Sequence, residues 1–299
     1  MWLIFLLYAI CASMFTISKY VLGFSQPIFF MAIRMIGAGI ILGGYYWFKN
    51  RSFMRQYITS SFTDWFLFLQ IIIFHVYLTY ICDLCALTQL TSIESAFIYN
   101  LAPFLSALFS YFWFAETVTT KKWVGLFLGF SSLLPELITE PLNFKHKLAP
   151  IFITIIAVIS SSYGWVIVRK LVKDKLYSPL YVNSVGMFFG GLAALVTSVL
   201  SESWLPTPVH NWVGFIQGTL LIIVIANIIF YNLYGFLLKK YTATFLSFAG
   251  FLCPVFTVIF GTLFLGEQVP THFVLSGLLV FTGLFIFYHE ELKQGYIGA

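Results

Sequence analysis

A guanidinium stands inside an apolar run at Arg34, within PIFFMAIRMIGAGIILGG. Helical rise puts it about eight residues, roughly 12 Å, into the second hydrophobic segment. A charge at that depth is costly unless it faces a partner, water or a bundle interior. Two readings follow: an anchor for a carboxylate or phosphate, which guanidinium binds bidentately, or a structural ion pair. Acidic residues toward the same side are Asp83, Glu94 and Glu136. Asp83 and Glu94 fit solvated positions at an interface, and a carboxylate at a helix start, as at Glu94, complements the helix dipole. If they line a cavity instead, they favour a cationic or zwitterionic ligand.

His75 lies mid-way through the third apolar segment, where an imidazole serves either as a proton relay or as a hydrogen-bonded packing residue. Asp83 is eight residues on, on the same helix face. Tyr99, Asn100 and Pro103 form a second feature. Proline frees a carbonyl about one turn earlier, and that carbonyl with Asn100 would present polar groups to a cavity. Gly250 and Pro254 stand at the matching place in the second half of the chain. Asn227 and Tyr231 are four apart, hence on one helix face. Tyr163 and Trp165 suit stacking on a planar ligand, whereas the neighbouring Ser160, Ser161 and Ser162 suit close helix packing. Cys11, Cys82, Cys85 and Cys253 all lie in apolar runs and read as small buried hydrophobes. No metal, cofactor or catalytic constellation is expected: there is no His-rich pattern, phosphate loop or nucleophile elbow.

The elements that must position these residues are membrane spans. The 299 residues are 60% hydrophobic and 9% charged, with a mean hydropathy of +0.93. An ordinary soluble domain carries roughly 25% charged residues, so a soluble enzyme is excluded, and disorder with it. A net charge of +5 spread over short loops argues against nucleic acid as a partner. Runs such as LFLQIIIFHVYLTYI are apolar all round, which favours helices over the alternating strands of a barrel. The reading is an all-α polytopic membrane protein with spans at 2–18, 26–48, 65–87, 92–114, 123–139, 149–168, 179–200, 212–236, 243–265 and 271–288. Pro135 and Glu136 interrupt the fifth.

Loop charges orient this bundle. With the N-terminus in the cytoplasm, the cytoplasmic loops and tail hold twelve basic residues: Lys49, Arg51, Arg55, Lys121, Lys122, Arg169, Lys170, Lys173, Lys175, Lys239, Lys240 and Lys293. The other side holds Lys19, Lys145 and Lys147. This positive-inside bias places both termini in the cytoplasm, and the cell (inner) membrane is the expected location.

The halves resemble each other. QLTSIESAFIYNLAPFLSALFSYFWFAETVTT aligns without gaps on KYTATFLSFAGFLCPVFTVIFGTLFLGEQVPT, placing Pro103 on Pro254 and Glu116 on Glu267 at an offset of 151 residues. Lys19 meets Lys170 at the same offset, and Pro27 meets Pro179 at 152. Five spans per half is an odd number, so residues 1–147 and 148–299 are expected to be two inverted five-helix repeats. Such repeats mark secondary transporters, with the substrate site near the bilayer midplane. The duplication of Glu116 and Glu267 points to a structural role at helix ends.

The paired span ends APF…FAET at 102–117 and CPV…LGEQ at 253–268 carry a family resemblance, together with Lys19, Tyr20, Pro27 and Arg34. Arg169, Lys170 and Pro179 are their counterparts. In these features the chain resembles EamA-type transporters of the drug/metabolite transporter superfamily. That resemblance implies alternating access without ATP hydrolysis, for a small-molecule substrate. Members move amino acids, other small metabolites, nucleotide-linked compounds and drugs.

The expected activity is secondary active transport of a small polar metabolite, an amino acid or related zwitterion first. A nucleoside-containing cation such as S-adenosylmethionine is the second reading, suited to aromatic side chains with Asp83 or Glu94, and a nucleotide sugar is the third. Coupling to protons or to a counter-substrate, and the oligomeric state, stay open at this level. A non-transporting scaffold or membrane-embedded enzyme is the alternative of another class. The residues expected to line the site are Arg34, His75, Asp83, Glu94, Tyr99, Asn100, Tyr163, Trp165, Asn227 and Tyr231.

Overall fold

The computed structural model describes residues 2–49, 62–90, 92–132, 148–253, 255, 256, 259 and 273–296. Among them, all regular structure is helical. Eight helical stretches are long and apolar enough to cross a membrane: Trp2–Leu22, Pro27–Lys49, Phe62–Leu87, Phe97–Phe114, Leu148–Asp174, Pro179–Ser201, Trp212–Leu237 and Val274–Lys293. They match eight of the ten expected spans. Of the fifth, helix Thr120–Ser131 is described; of the ninth, helix Ala243–Ala249. Pro135, Glu136, Pro254 and Glu267 lie outside the described residues, as do Lys145 and Lys147. The chain is therefore a multi-pass integral membrane protein. Its outward faces carry Leu, Ile, Phe and Val, as lipid requires.

Helices are named in chain order where needed. α1 is Trp2–Leu22 and α2 is Pro27–Lys49. The third span is α3 (Phe62–Gln70), a π-helical segment Ile71–Leu78, then α4 (Thr79–Leu87). The fourth divides into α5 (Ser92–Tyr99) and α6 (Ala102–Phe114), and α7 is Thr120–Ser131. α8 (Leu148–Arg169) runs on through a second π-helical segment to Asp174. α9 is Pro179–Ser201. The next span is α10 (Trp212–Ile222), a third π-helical segment Ile223–Phe230, then α11 (Tyr231–Leu237). α12 is Ala243–Ala249 and α13 is Phe273–Lys293.

Two spans break where the sequence marks them. Pro103 offers no N–H and its ring crowds the carbonyl of residue 99. The chain passes from α5 to α6 through a tight turn in which Asn100 and Leu101 donate to Phe97 and Ile98 at 3.1 Å. A similar turn follows α12, where Gly250 donates to Ser247 at 2.9 Å and Phe251 to Phe248 at 3.1 Å. The broken spans meet: Ser106 Oγ and Ser247 Oγ are 2.7 Å apart.

α2 and α9 pack along their lengths, because two glycines remove the side chains that would hold them apart. A Cβ on Gly39 would sit 2.7 Å from the backbone N of Phe188, and one on Gly191 would sit 2.8 Å from that of Ile36. No rotamer change relieves a clash with backbone. Gly39→Val and Gly191→Val are each expected to lose roughly 1–3 kcal/mol through overpacking. Lower thermal midpoints of the detergent-solubilised proteins would register it, and unchanged midpoints would refute the close approach.

Ion pairs close one end of the bundle. Arg169 Nη2 lies 2.6 Å from Glu116 Oε1, joining the ends of α8 and α6. Lys122 Nζ lies 3.1 Å from Glu291 Oε1, and Thr242 Oγ1 donates to that carboxylate at 2.7 and 2.8 Å. This corrects the sequence reading, which set Arg169, Lys170 and Lys173 in a loop. The helix continues through them, and Arg169 can be buried because Glu116 neutralises it. The helix-end role expected for Glu116 takes the form of this pair. At the other end Glu202 accepts from the N–H groups of Ile28 and Phe29, at 2.7 and 2.8 Å, capping the start of α2. Lys19 Nζ donates to the carbonyls of Leu87 and, at 2.8 Å, Leu90.

Candidate functional site

The middle of the bundle gathers polar groups from both halves of the chain. Arg34 of α2 is 1% exposed, yet it makes no ion pair among the described residues. Its Nε donates to Asn227 Oδ1 at 2.8 Å, and its Cζ lies 4.8 Å from the Tyr80 ring centroid. Among the described residues the buried Nη2 has no hydrogen-bond partner. Asn227 is held in turn by the thioethers of Met35 and Met187, at 3.2 and 3.6 Å from Nδ2. The Tyr80 and Tyr231 hydroxyls bond to each other across the halves, 151 residues apart in sequence. Asn227 lies within the third π-helical segment and Tyr231 directly follows it. Wide turns of this kind occur often at functional sites.

Aromatic rings extend the cluster. Trp165 of α8 stacks on Tyr234 at 3.9 Å with 24° between planes, and Tyr231 lies 5.1 Å from it. His75, in the first π-helical segment, packs against the same indole at 4.4 Å and 69°. Gly164 permits this contact: a Cβ there would fall 2.5 Å from His75 Nδ1 and 2.7 Å from its Cα. His75 is 1% exposed and lies beside the Ser161 backbone; neither ring nitrogen reaches full hydrogen-bonding geometry with any described residue. Replacing Gly164 with Leu should displace His75 and the whole third span. Such a protein is expected to lose transport and to melt earlier; normal uptake would show that the contact is dispensable.

Asp83 is buried in α4, three residues beyond Tyr80. Its Oδ1 accepts from Ser95 Oγ at 3.5 Å, and the Tyr99 hydroxyl is bonded to the same carboxylate. Glu94 is buried at the start of α5. Asn100 is buried at the break between α5 and α6. Phe15 packs edge-on against Tyr99 at 5.5 Å. Thus Arg34, His75, Trp165, Asn227 and Tyr231 form the centre, with Asp83 and Tyr99 beside it.

Tyr163 points elsewhere. Its hydroxyl donates to Gln70, and its ring packs on Phe74, Phe109 and Trp113. Residues two apart on a helix face different ways, so Tyr163 and Trp165 do not share a wall. The sequence reading missed Tyr80 and Tyr234. Tyr80 was findable, since the repeat offset carries it onto Tyr231. It also sought acidic partners for Arg34, whereas the observed partner is a neutral amide on the other half of the chain.

In chemical terms the centre offers one guanidinium nitrogen unpaired among the described residues, a buried imidazole, stacked aromatic faces and a carboxylate nearby. That set suits a ligand with a carboxylate, a planar ring and a cationic group.

Comparisons with known proteins agree in kind. The chain is 36% identical to an S-adenosylmethionine/S-adenosylhomocysteine transporter of Chlamydia muridarum, over 99% of this chain and 93% of that one. It is 35% identical to the transporter of the same name from Chlamydia trachomatis serovar L2, over 99% and 90%. A protein crystal structure superposes with a TM-score of 0.73 at 15% identity, covering 95% of this chain and 93% of that one, which shows a shared fold. Residues 1–134 and 148–289 match the EamA-like transporter family. The chain belongs to that family of membrane transporters.

Proposed function

We propose that this protein transports S-adenosylmethionine and S-adenosylhomocysteine by alternating access, with the ligand held between the halves at Arg34, His75, Trp165, Asn227 and Tyr231. The observation that carries the site is Arg34: a buried guanidinium, bridged to the opposite half by Asn227, with Nη2 unpartnered. Leaving a buried donor unpaired costs roughly 1–3 kcal/mol, and the carboxylate of the amino-acid part of the ligand would relieve that cost. The aromatic rings favour the sulfonium by cation–π attraction and the adenine by stacking. Asp83, with Tyr99, is suited to the ligand's ammonium. Glu94 and Asn100 belong to the same region and line the path beside it. Tyr163 serves packing of the third, fourth and sixth spans.

The two-repeat architecture, residues 1–147 and 148–299 with ten spans, is part of this reading. Several facts support it: the family match falls in two stretches, 1–134 and 148–289. Gly39 lies on Phe188 while Gly191 lies on Ile36, a reciprocal contact at the 152-residue offset. Two spans of equal length, Phe62–Leu87 and Trp212–Leu237, each carry a central π-helical segment of 8 residues. Reciprocal contacts of this kind are what a two-fold axis in the membrane plane produces. Arg34 has Gly186 at its counterpart position, so the site is asymmetric within a symmetric scaffold. The positive-inside bias supports cytoplasmic termini in the inner membrane.

Ligands differing by one methyl and one charge suit one-for-one exchange, with uptake of the methylated form driven by exit of the other. Proteoliposomes preloaded with S-adenosylhomocysteine are expected to take up labelled S-adenosylmethionine several-fold faster than empty ones. Equal rates would refute exchange. Absence of uptake under both conditions, with an amino acid or nucleotide sugar moved instead, would overturn the substrate.

A further inference from the structure

The two halves of the chain place a lysine at matching positions and use it differently. Lys19 stands in the last turn of α1, and Lys170, at the 151-residue offset, opens the π-helical segment that continues α8. Lys19 Nζ donates to the carbonyls of Leu87 and, at 2.8 Å, Leu90, which close the third span. The same offset carries those carbonyls onto Leu238 and Tyr241, at the end of α11. The backbone is built alike at both places. Gln89 and Leu90 donate to Ala86 at 2.9 Å, and Lys240 and Tyr241 donate to Leu237 at 2.9 Å. A receiving turn for Lys170 is therefore present. Among the described residues Lys170 instead engages Asp174, with Nζ 2.9 Å from Oδ2, and lies 5.4 Å from the Phe114 ring centroid.

Two features account for the difference. The offset grows from 151 at Lys170 to 152 at Pro179, so the second half holds one more residue in between. The wider turns of a π-helical segment accommodate it, and that segment begins at Lys170, whereas Lys19 lies in regular α-helix. Asp174 also has no acidic counterpart, the corresponding residues being Leu22 and Gly23. Lys170 thus has a resting partner that Lys19 lacks. The side chains of this resting pair are 29% and 36% exposed, and exposed ion pairs contribute little. A charged donor on backbone carbonyls contributes more, so the resting place is readily given up.

We propose that Lys19 and Lys170 are alternating latches, each tying its helix to the carbonyls that end the span two further along, with one engaged at a time. The proposal rests on the two-repeat transporter reading above and adds the contacts that distinguish its two end states. In this structure the Lys19 latch is closed and draws α1 onto the end of α4. In the opposite state of an alternating-access cycle, Lys19 lets go and Lys170 leaves Asp174 for the carbonyls of Leu238 and Tyr241. By the loop charges, Lys19 acts on the outer side and Lys170 on the cytoplasmic side.

Spin-label distances in nanodiscs test this on the full chain without any substrate. One labelled pair, Tyr20→Cys with Gln89→Cys, spans the Lys19 latch; the other, Lys173→Cys with Lys240→Cys, spans the Lys170 latch. All four positions are exposed, and the native Cys11, Cys82, Cys85 and Cys253 are replaced by alanine. Lys19→Met is expected to raise the long-to-short ratio of the first pair about tenfold, the effect of one charged hydrogen bond, and to lower that of the second. Lys170→Met should shift both ratios the opposite way. Asp174→Asn frees Lys170 without removing it, and should act in the direction of Lys19→Met by about twofold, as an exposed ion pair allows. A lysine that only caps a helix end loosens its own end, so a Lys19→Met change confined to the first pair overturns the proposal. Shifts of one sign at both pairs overturn it as well. Lys170 is unlatched in this structure, so Lys170→Met and Asp174→Asn stay decisive where Lys19→Met fails to fold; unchanged distances in both refute the latch. Reciprocal shifts in a protein that takes up no S-adenosylmethionine would refute the substrate and leave the latches standing.

Discussion

Substituting Arg34 by Gln should reduce S-adenosylmethionine uptake by at least about 30-fold, at unchanged membrane insertion. Removing one partner of a buried charged contact costs roughly 2–5 kcal/mol, and each 1.4 kcal/mol is about tenfold. The ligand carboxylate would lose its counter-charge in a place water does not reach, since Arg34 is 1% exposed. Arg34→Lys tests geometry apart from charge. An ammonium keeps the charge but not the planar fork that binds Asn227 Oδ1 through Nε while leaving Nη2 for the ligand. Recovery should therefore be partial. Asn227→Ala should fall between the two, because the guanidinium survives without its orienting acceptor. The measurement is initial uptake rate at matched reconstitution, with size-exclusion profiles to establish folding. Arg34→Gln uptake within about threefold of wild type would remove Arg34 from the site.

Glu116→Ala should be the most destabilising of the single changes considered. It leaves Arg169 buried at the end of α8 with no counter-charge, although Nε and Nη1 of that residue already lack partners. Breaking a buried pair by deleting one member costs roughly 3–5 kcal/mol, while replacing both members by apolar residues of similar size is often neutral. The variant is expected to melt on the order of 10 °C lower in detergent, and the double variant Glu116→Leu/Arg169→Met should regain most of that loss. A single variant that melts with the wild type would show that the pair contributes little. A double variant that melts as low as the single would show that its worth is more than charge neutralisation.

Much of the fold was legible because lipid imposes simple rules. Apolar runs of fixed length, punctuated by Lys and Arg, gave the eight spans that the described residues contain, to within a few residues. Pro103 located the break in the fourth span because proline removes a hydrogen bond wherever it stands. The end of the sixth span was misjudged because hydropathy treats Arg169 as a loop residue; only its pairing with Glu116, distant in sequence, lets the helix run on. The π-helical segments left no trace in IIIFHVYL or IVIANIIF, whose apolar residues do not distinguish a wide turn from an ordinary one.

The site was half legible. Intramembrane Arg34, His75 and Asn227 stood out because polar groups in spans are costly and must serve a purpose. Their mutual arrangement did not, since it depends on which faces of α2, α8 and the two π-bearing spans meet. Spacing put Tyr163 and Trp165 together as stacking candidates, but helical geometry turns one toward Gln70 and the other toward His75. Tyr234 was not distinguishable from the other sixteen tyrosines by sequence alone. Its importance comes from the indole it covers.

In the proposed function an adenosyl amino acid lies between the two halves, anchored at Arg34 and stacked on the aromatic rings around Trp165. A structure of the protein in nanodiscs with S-adenosylhomocysteine tests it most directly. Ligand density is expected with the carboxylate within about 3 Å of Arg34 Nη2, a hydrogen-bond distance. The adenine is expected against the aromatic rings around Trp165. Density for the ligand at a position that touches neither Arg34 nor Trp165 would contradict it.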